Sequence, residues 1–309
     1  MKTVIVTGAN SGLGLWTTKY LLDLNYRVIM ACRDIKKTQN AIDEFPEFDK
    51  SKAFIIKKLD LADFGSIRNF VRDLSDFQDI YALDCNAGIS YEGQFRYTKN
   101  GIEETFGTNY LGHFLLTNLL FEKYTLERIV LISSGLHDPK NKSPFAKAEF
   151  KPAKELAFPR VDENSTLKKQ AQSFYATSKL CVLLFAYELD RRLNKKGSRV
   201  KTLVNAVNPG LMLTTNLARS HKPGENLSRK FLDVFFKIIG LSDNPKSSAK
   251  AVLRLIDAVE TSGRYYEKDK VTQSSTDSYD EQKAKTLWEG SEEIVGQKFL
   301  ILSQSGLGK

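Results

Sequence analysis

Short apolar runs alternate with amphipathic segments along most of this 309-residue chain. Runs of strand length lie at 3–7, 26–31, 53–58, 80–84, 128–133, 200–207 and 264–266. Helical patterns lie between them at 12–24, 34–44, 63–76, 100–123, 172–194 and 246–260. This alternation is typical of a parallel sheet with helices on both faces. The sequence therefore predicts an α/β fold with a doubly wound sheet of about seven strands.

Two long segments interrupt the alternation. Residues 136–170 contain four prolines and many lysines, and residues 211–245 include an apolar stretch at 231–239. Long connections in compact domains are usually functional or disordered. We therefore interpret 136–170 as an insertion and 211–245 as a substrate lid with an amphipathic helix. The whole chain, 1–309, is expected to form one domain.

The first strand leads directly into a glycine-rich turn, Thr7-Gly8-Ala9-Asn10-Ser11-Gly12-Leu13-Gly14. Glycine permits a positive φ and lets backbone amides approach a bulky anion. The helix that follows offers its N–H groups and the positive end of its dipole to a pyrophosphate. Between a strand and a helix, this turn predicts the dinucleotide site of a Rossmann-like unit. The predicted cofactor-binding residues are Gly8, Asn10, Ser11, Gly12, Leu13 and Gly14.

The composition is that of an ordinary globular protein, with 41% hydrophobic and 27% charged residues. No apolar run approaches the roughly 18 residues that a membrane helix needs. Because the chain enters its first strand at once, we expect no signal peptide or N-terminal anchor. The three cysteines and three histidines are scattered without metal-ligand spacing. We therefore expect no metal site and a cytoplasmic protein.

A formal charge of +9 raises the question of an anionic partner. The lysines are spread over many segments, and no block interleaves arginines with aromatic residues. We therefore interpret the charge as a solvated basic surface and expect no nucleic-acid partner. A peripheral membrane contact through 231–239 stays open.

Tyr175 and Lys179 are spaced so that they share one face of a helix. A phenol normally loses its proton near pH 10, but a neighbouring ammonium favours the phenolate and lowers that pKa. The pair is thus suited to exchange a proton during alcohol–carbonyl interconversion. By itself, this spacing is common by chance and usually marks an ordinary amphipathic helix.

With these features together, the chain resembles the short-chain dehydrogenase/reductase family over roughly residues 1–300. The further segments that carry the resemblance are Asp60-Leu61, Asn86-Ala87-Gly88, Asn109, Ser133-Ser134 and Asn208-Pro209-Gly210. Cys85 stands where the family has the first of two asparagines.

The resemblance implies a set of roles. The implied catalytic residues are Asn109, Ser134, Tyr175 and Lys179. The implied additional cofactor contacts are Asp60, Leu61, Asn86, Ala87, Gly88, Tyr175, Lys179, Pro209 and Gly210. Ser134 and Tyr175 would hold the substrate oxygen, Lys179 would bind the nicotinamide ribose, and Asn109 would sustain a water-linked proton relay.

The end of the second strand bears on the choice of cofactor. Arg33 comes first, and a guanidinium can clamp a 2′-phosphate in bidentate fashion. Asp34 follows, and it could pair with a neighbouring cation or accept from a ribose 2′-hydroxyl. We therefore expect NADP(H) as the preferred cofactor, with NAD(H) left open.

Three segments are similar to the family branch that contains retinol dehydrogenases and light-dependent protochlorophyllide reductase. They are Ala31–Asp34, Gly107–Phe114 and Leu287–Gly296. Both enzymes act on bulky lipophilic molecules, so the resemblance implies such a substrate. Protochlorophyllide reductases carry a cysteine directly after the Pro-Gly motif, where this chain has Leu211. Two alternative functions stay open: protochlorophyllide reductase-like activity, or a non-catalytic NADP-binding regulatory protein. Whether the protein is a homo-oligomer or a monomer also stays open.

Overall fold

The computed structural model describes residues 1–91, 95–141, 146–194, 201–210, 218–219 and 243–300. Its strands are β1 Thr3–Thr7, β2 Arg27–Cys32, β3 Phe54–Lys58, β4 Ala82–Cys85, β5 Ser90–Tyr91, β6 Arg128–Ile132, β7 Leu203–Asn208, β8 Ala218–Arg219, β9 Arg264–Glu267 and β10 Lys270–Thr272. Its α-helices are α1 Gly12–Asp23, α2 Ile35–Asp43, α3 Phe64–Arg72, α4 Glu104–Phe106, α5 Gly112–Phe121, α6 Ala153–Ala157, α7 Leu167–Leu193, α8 Pro245–Asp257 and α9 Glu281–Val295. A π-helical turn, Gly107–Leu111, joins α4 to α5, and 3₁₀ turns span Gly135–His137 and Thr276–Tyr279.

Eight of these strands form one sheet in the order β10-β9-β7-β6-β4-β1-β2-β3. Every pairing in it is parallel except that of β10 with β9. The predicted doubly wound α/β fold is therefore confirmed, and all seven predicted strands are present. The eighth, β10, was missed because its short, fully exposed sequence has no apolar alternation. It serves as an antiparallel edge.

The sheet separates two cores. Along β1, Val4 and Val6 point to the core covered by α1 and α8, whereas Ile5 points to the core covered by α5, α7 and α9. Because both faces are buried, all five residues of β1 are buried and its centre, Val4-Ile5-Val6, is continuously apolar instead of alternating with polar residues.

Two helical regions differ from the sequence prediction. The helix predicted at 100–123 is interrupted by the π-helical turn, before which the Glu103 carboxylate accepts from the Thr105 and Phe106 amides. Helix α9 was not predicted at all. Its apolar residues are widely spaced among charges, yet Trp288 is 1% exposed and packs against Phe114 and Phe185.

The insertion predicted at 136–170 contains the short helix α6, and its residues 142–145 lie outside the described part of the chain. The lid predicted at 211–245 lies mostly outside it too, including the whole apolar stretch at 231–239. Among the described helices, none is both long enough and apolar enough to span a membrane.

Candidate active site

Parallel strands place their carboxyl ends along one edge of the sheet, where ligands of such folds bind. The predicted site residues follow six of these strands. They are Gly8 after β1, Arg33 after β2, Asp60 two residues beyond β3, Asn86 after β4, Ser134 two residues beyond β6, and Pro209 after β7. Residues far apart in sequence thus meet at a common edge.

The glycine turn has the close backbone packing that its sequence predicts. Gly8 and Gly12 have φ values of 65° and 52°, which side chains other than glycine rarely adopt. A Cβ added to Gly14 would lie 2.5 Å from Asn86 Nδ2 and 2.6 Å from the Gly8 carbonyl oxygen. The turn can therefore be built only with glycine at these positions.

The amino end of α1 fits an anionic ligand. Ser11 is its N-cap residue, but the Ser11 side chain makes no capping hydrogen bond, and the first turn holds no acidic residue. By contrast, the side chains of Asp34 and Asp63 cap α2 and α3. The first N–H groups of α1 and its dipole are thus suited to the pyrophosphate of a dinucleotide.

The segment after β4 fixes the glycine turn from the opposite side. The Asn86 side-chain amide donates to the Thr7 carbonyl oxygen at 2.7 Å, and the Ala87 amide donates to Thr7 Oγ1 at 2.9 Å. Ala87 also lies where a Cβ on Gly8 would meet its Cα at 3.0 Å. Asn86, Ala87 and the partly buried Gly88 therefore shape the turn as well as bordering it.

The other predicted cofactor contacts lie at the rim of this edge. Asp60 follows β3 and accepts from the Ala62 amide at 3.1 Å. Leu61 is 5% exposed, and a Cβ on Gly112 would lie 2.5 Å from its carbonyl oxygen, so α5 packs directly on this backbone. Arg33 is exposed beyond β2.

Beyond β7, Pro209 and Gly210 connect the sheet to α8. Gly210 has a φ of 99°, its amide donates to Asn208 Oδ1 at 3.1 Å, and a Cβ on it would overlap the Asp243 side chain. Ser248 on α8 donates to the Pro209 carbonyl oxygen at 2.7 Å. The Pro-Gly turn is thus held in place before the chain leaves the described residues at 211–217.

Helix α7 carries both members of the tyrosine–lysine pair, one turn apart. Lys179 is 3% exposed, and its Nζ lies 5.7 Å from the centroid of the Tyr175 ring. Lys179 Nζ donates to the Ile132 carbonyl oxygen at 2.9 Å, while Ser133 Oγ donates to the Lys179 carbonyl oxygen at 3.1 Å. The end of β6 is therefore bonded directly to the face of α7 that carries Tyr175 and Lys179.

Ser134 completes this group. Its hydroxyl accepts from the Leu136 amide at 3.3 Å and lies near enough to the Tyr175 phenol to lower the pKa of that phenol. Burial has the larger effect and raises the pKa of Tyr175 to about 12, and burial lowers the pKa of Lys179 to about 8. The pKa of Tyr175 is therefore raised, whereas the sequence predicted that it is lowered.

Asn109 lies in the π-helical turn and holds neighbouring backbone. Its Oδ1 accepts from the Ile89 amide at 2.7 Å, and its Nδ2 donates to the Ile89 carbonyl oxygen at 2.9 Å and to Ser178 Oγ at 3.0 Å. Ser178 Oγ in turn donates to the Tyr175 carbonyl oxygen at 2.7 Å. The structure thus joins Asn109 to α7 through Ser178, and the water-linked relay to Lys179 stays a prediction.

The sequence analysis missed His113, which is 2% exposed. Its Nδ1 lies 3.1 Å from the Asn109 carbonyl oxygen, and its Nε2 lies 3.0 Å from Thr7 Oγ1. Burial lowers its pKa to about 4, so the ring is neutral at pH 7, and Thr7 Oγ1 itself donates to the Asp84 carbonyl oxygen at 3.1 Å. His113 therefore links the glycine turn to Asn109. Its i+4 spacing from Asn109 was the available signal.

This fold and this edge define a dinucleotide-binding α/β protein with a Ser–Tyr–Lys group beside the nucleotide turn. Comparison with known sequences agrees. The family profile described as short chain dehydrogenase matches residues 2–143. The chain is 35% identical over 320 residues to retinol dehydrogenase 14 of Mus musculus, covering 96% of this chain and 86% of that protein. It is 32% identical over 323 residues to the chloroplastic protochlorophyllide reductase of Daucus carota, covering 95% and 78%.

Solved structures share the architecture. An uncharacterized protein from Mycobacterium Paratuberculosis superposes with a TM-score of 0.72 at 28% identity, covering 97% of this chain and 96% of that one. The actinorhodin polyketide ketoreductase, solved with NADPH, has the same fold, with a TM-score of 0.60 at 20% identity over 86% of this chain and 95% of that one. The chain belongs to the short-chain dehydrogenase/reductase family of oxidoreductases and is related to retinol dehydrogenases.

Proposed function

We propose that this protein is an NADP(H)-dependent oxidoreductase that interconverts a carbonyl and an alcohol on a bulky lipophilic substrate. The observation that carries the proposal is the buried Lys179 ammonium, which lies 5.7 Å from the centroid of the Tyr175 ring and donates to the last residue of the strand that leads into Ser134. Two hydroxyl groups beside an ammonium supply the proton donor and the charge that reduction of a carbonyl requires.

The cofactor, when bound, supplies or accepts the hydride. With a pKa raised to about 12, Tyr175 is protonated at neutral pH and is a proton donor for the alkoxide that forms on reduction. The Ser134 hydroxyl would hold the substrate oxygen beside it. Lys179, with a pKa of about 8, carries a positive charge at pH 7 that would stabilise the resulting phenolate.

The end of β2 supports NADP(H). Asp34 Oδ1 accepts from the Lys37 amide at 2.9 Å, so this carboxylate is engaged as the cap of α2. Arg33 is exposed beside Asp34, so its side chain is not held in place by packing. A guanidinium in that place suits a 2′-phosphate better than a bare ribose hydroxyl.

Two observations support a lipophilic substrate. First, the related retinol dehydrogenases are named for retinol, which is a lipophilic alcohol. In addition, Phe174, which precedes Tyr175, packs edge to face on Phe95 with ring centroids 5.4 Å apart. Both rings are partly exposed, and we propose that they form one wall of the substrate site. The lid at 211–245 and its apolar stretch at 231–239 remain predictions.

The test is NADPH consumption by the purified protein with retinal, quinones, steroid ketones and aromatic aldehydes. Tyr175→Phe should abolish turnover and leave NADPH binding intact, whereas Tyr20→Phe, whose hydroxyl bonds the Lys246 carbonyl on the surface, should be unaffected. Turnover that survives in Tyr175→Phe would refute the assignment.

A second candidate is protochlorophyllide reductase-like activity, which is favoured by the 32% identity to the carrot enzyme. The same assay with protochlorophyllide, in darkness and under illumination, separates the two, because only the photoenzyme requires light. NADPH binding with no turnover of any substrate would instead favour the regulatory protein. We further propose a cytoplasmic location, consistent with the three unpaired cysteines, all buried.

A further inference from the structure

His137 lies directly behind the catalytic serine. It ends the 3₁₀ turn that follows Ser134, and it is 3% exposed. Its Nδ1 lies 2.6 Å from the Ser134 carbonyl oxygen, and its Nε2 accepts from the Ser275 amide at 3.0 Å. The ring also packs edge to face on Tyr265, with centroids 5.1 Å apart. One imidazole thus connects the serine turn to a segment 138 residues later.

These contacts fix the state of the ring. A carbonyl oxygen can only accept, so Nδ1 must carry a proton, and an amide can only donate, so Nε2 must not. His137 is therefore the neutral Nδ1–H tautomer. A second proton would remove the acceptor that the Ser275 amide needs and leave that buried donor unpaired.

The segment on the other side of His137 is fastened to the catalytic helix. Ser274 Oγ lies 2.7 Å from the Tyr187 hydroxyl on α7, and the Ser274 amide donates to the Tyr279 hydroxyl at 3.1 Å. The rings of Tyr187 and Tyr279 stack with centroids 5.0 Å apart. Since α7 also carries Tyr175, the connection through His137 holds the Ser134 turn against the helix that carries its partner.

We propose that neutral His137 is a positioning residue that sets the Ser134 hydroxyl against Tyr175, and that acid pH releases it. The inference rests on the proposed function, because it assigns a role within that catalytic group. His137 touches neither reacting group through its side chain and acts only through the Ser134 backbone.

The charged groups that bear on the ring are the carboxylates of Asp138 and Glu267. The other titratable groups on the elements packed against it are Tyr175, Lys179, Tyr187, Tyr265 and Tyr279. These change charge above neutral pH. Burial is the larger effect and holds the pKa of His137 below its usual value, so the connection is intact at pH 7 and is lost as the pH falls through that lowered pKa.

The sharpest test breaks the contact between His137 and Ser275. Ser275 has a φ of −61°, which proline also adopts, so Ser275→Pro suits the backbone, deletes the amide donor and places the proline Cδ against the His137 ring. Ser275→Ala is the matched control, because the Ser275 hydroxyl has no partner of its own and the amide is kept. We expect Ser275→Pro to lower kcat about tenfold at unchanged KM for NADPH, with Ser275→Ala like the wild type.

His137→Asn supplies the pH readout. An asparagine amide can still donate to the Ser134 carbonyl oxygen but does not titrate. We expect it to keep most of kcat at pH 7 and to lose the acid limb that we expect for the wild type as the pH falls through the lowered pKa of His137. His137→Phe should lower kcat as Ser275→Pro does, without further loss in the double variant. Unchanged kcat in both Ser275→Pro and His137→Phe, or an acid limb retained in His137→Asn, would overturn the inference.

A measurement without turnover separates this inference from the proposed function. The chain has three histidines, so ¹⁵N spectra of the imidazoles can be assigned with single variants. We expect an Nδ1–H tautomer for His137 and slow hydrogen exchange of the Ser275 amide that accelerates as His137 protonates. An Nε2–H tautomer overturns the inference even if the enzyme is active. Absence of turnover with the expected tautomer refutes the proposed function alone.

Discussion

The Nζ atom of Lys179 donates to the carbonyl oxygen of Ile132, the last residue of β6, at 2.9 Å. A buried ammonium is thus bonded to the strand that leads into Ser134, and through α7 it is tied to Tyr175. This bond holds the Lys179 ammonium at the carboxyl end of β6.

Lys179 should set an alkaline limit on activity. Burial lowers its pKa to about 8, so the ammonium that stabilises the Tyr175 phenolate is lost as the pH rises through that value. We expect the rate of reduction to fall above about pH 8, and Lys179→Met to lower kcat about 100-fold or more at pH 7. A pH–rate profile measures the first effect. The same limb in Lys179→Arg, whose side chain stays charged, would assign the limb to another group.

Arg33 should discriminate between the two nicotinamide cofactors. Arg33→Glu places a carboxylate where a 2′-phosphate would lie, so we expect at least a tenfold weaker affinity for NADPH, or about 1.4 kcal/mol, and little change for NADH. Fluorescence titration with both cofactors measures this. Arg72→Glu, at an exposed arginine on α3, is the control for net charge. Equal weakening of NADPH and NADH in Arg33→Glu would remove the assignment.

Gly14 should be needed for both folding and cofactor binding. A Cβ there would lie 2.5 Å from Asn86 Nδ2, so Gly14→Ala must displace the side chain that fixes the glycine turn. We expect a loss of about 1–3 kcal/mol in the free energy of unfolding, and loss of NADPH binding. Urea unfolding and cofactor titration measure these effects. Gly65→Ala on α3, where the added Cβ would lie 3.2 Å from a flexible Asp63 side chain, should leave cofactor binding unchanged.

The Asp84 side chain should lower the free energy of unfolding at neutral pH. Its side chain is fully buried in β4, neither carboxyl oxygen has a hydrogen-bond partner, and burial raises its pKa well above the usual value. Its strand neighbours are Val6 and Val130, so Asp84→Val should stabilise the protein by about 1–3 kcal/mol at pH 7.5.

The pH dependence of that gain has a definite sign. A carboxyl with a raised pKa binds its proton more tightly in the folded state, so the folded wild type gains stability as the pH falls toward the unfolded value near 4. The advantage of Asp84→Val should therefore shrink between pH 7.5 and 5 in urea unfolding. The control is Asp79→Val, at an exposed aspartate shortly before β4, which should show no such gain in stability. An equal advantage at both pH values would mean that Asp84 is not the titrating group.

Much of the fold could be predicted from the sequence because the strands and helices have local hydrophobic patterns. The run at 3–7 is buried as β1, and the pattern at 12–24 is α1 to within one residue. Helix α9 could not be predicted, since its stability comes from Trp288 packing against α5 and α7 rather than from its own pattern. The helix predicted from 100 begins only at Glu104, where the Glu103 side chain caps it.

The candidate site also has features that the sequence predicts and features that depend on tertiary structure. Sequence by itself determined the glycine turn and the Tyr175–Lys179 spacing, because a positive φ and a helical repeat are properties of neighbouring residues. Only the tertiary structure decided that Asn109 reaches α7 through Ser178, that His113 and His137 link segments far apart in the chain, and that Tyr175 is made less acidic. The physical reason is that desolvation and long-range hydrogen bonds arise only when distant segments are packed together.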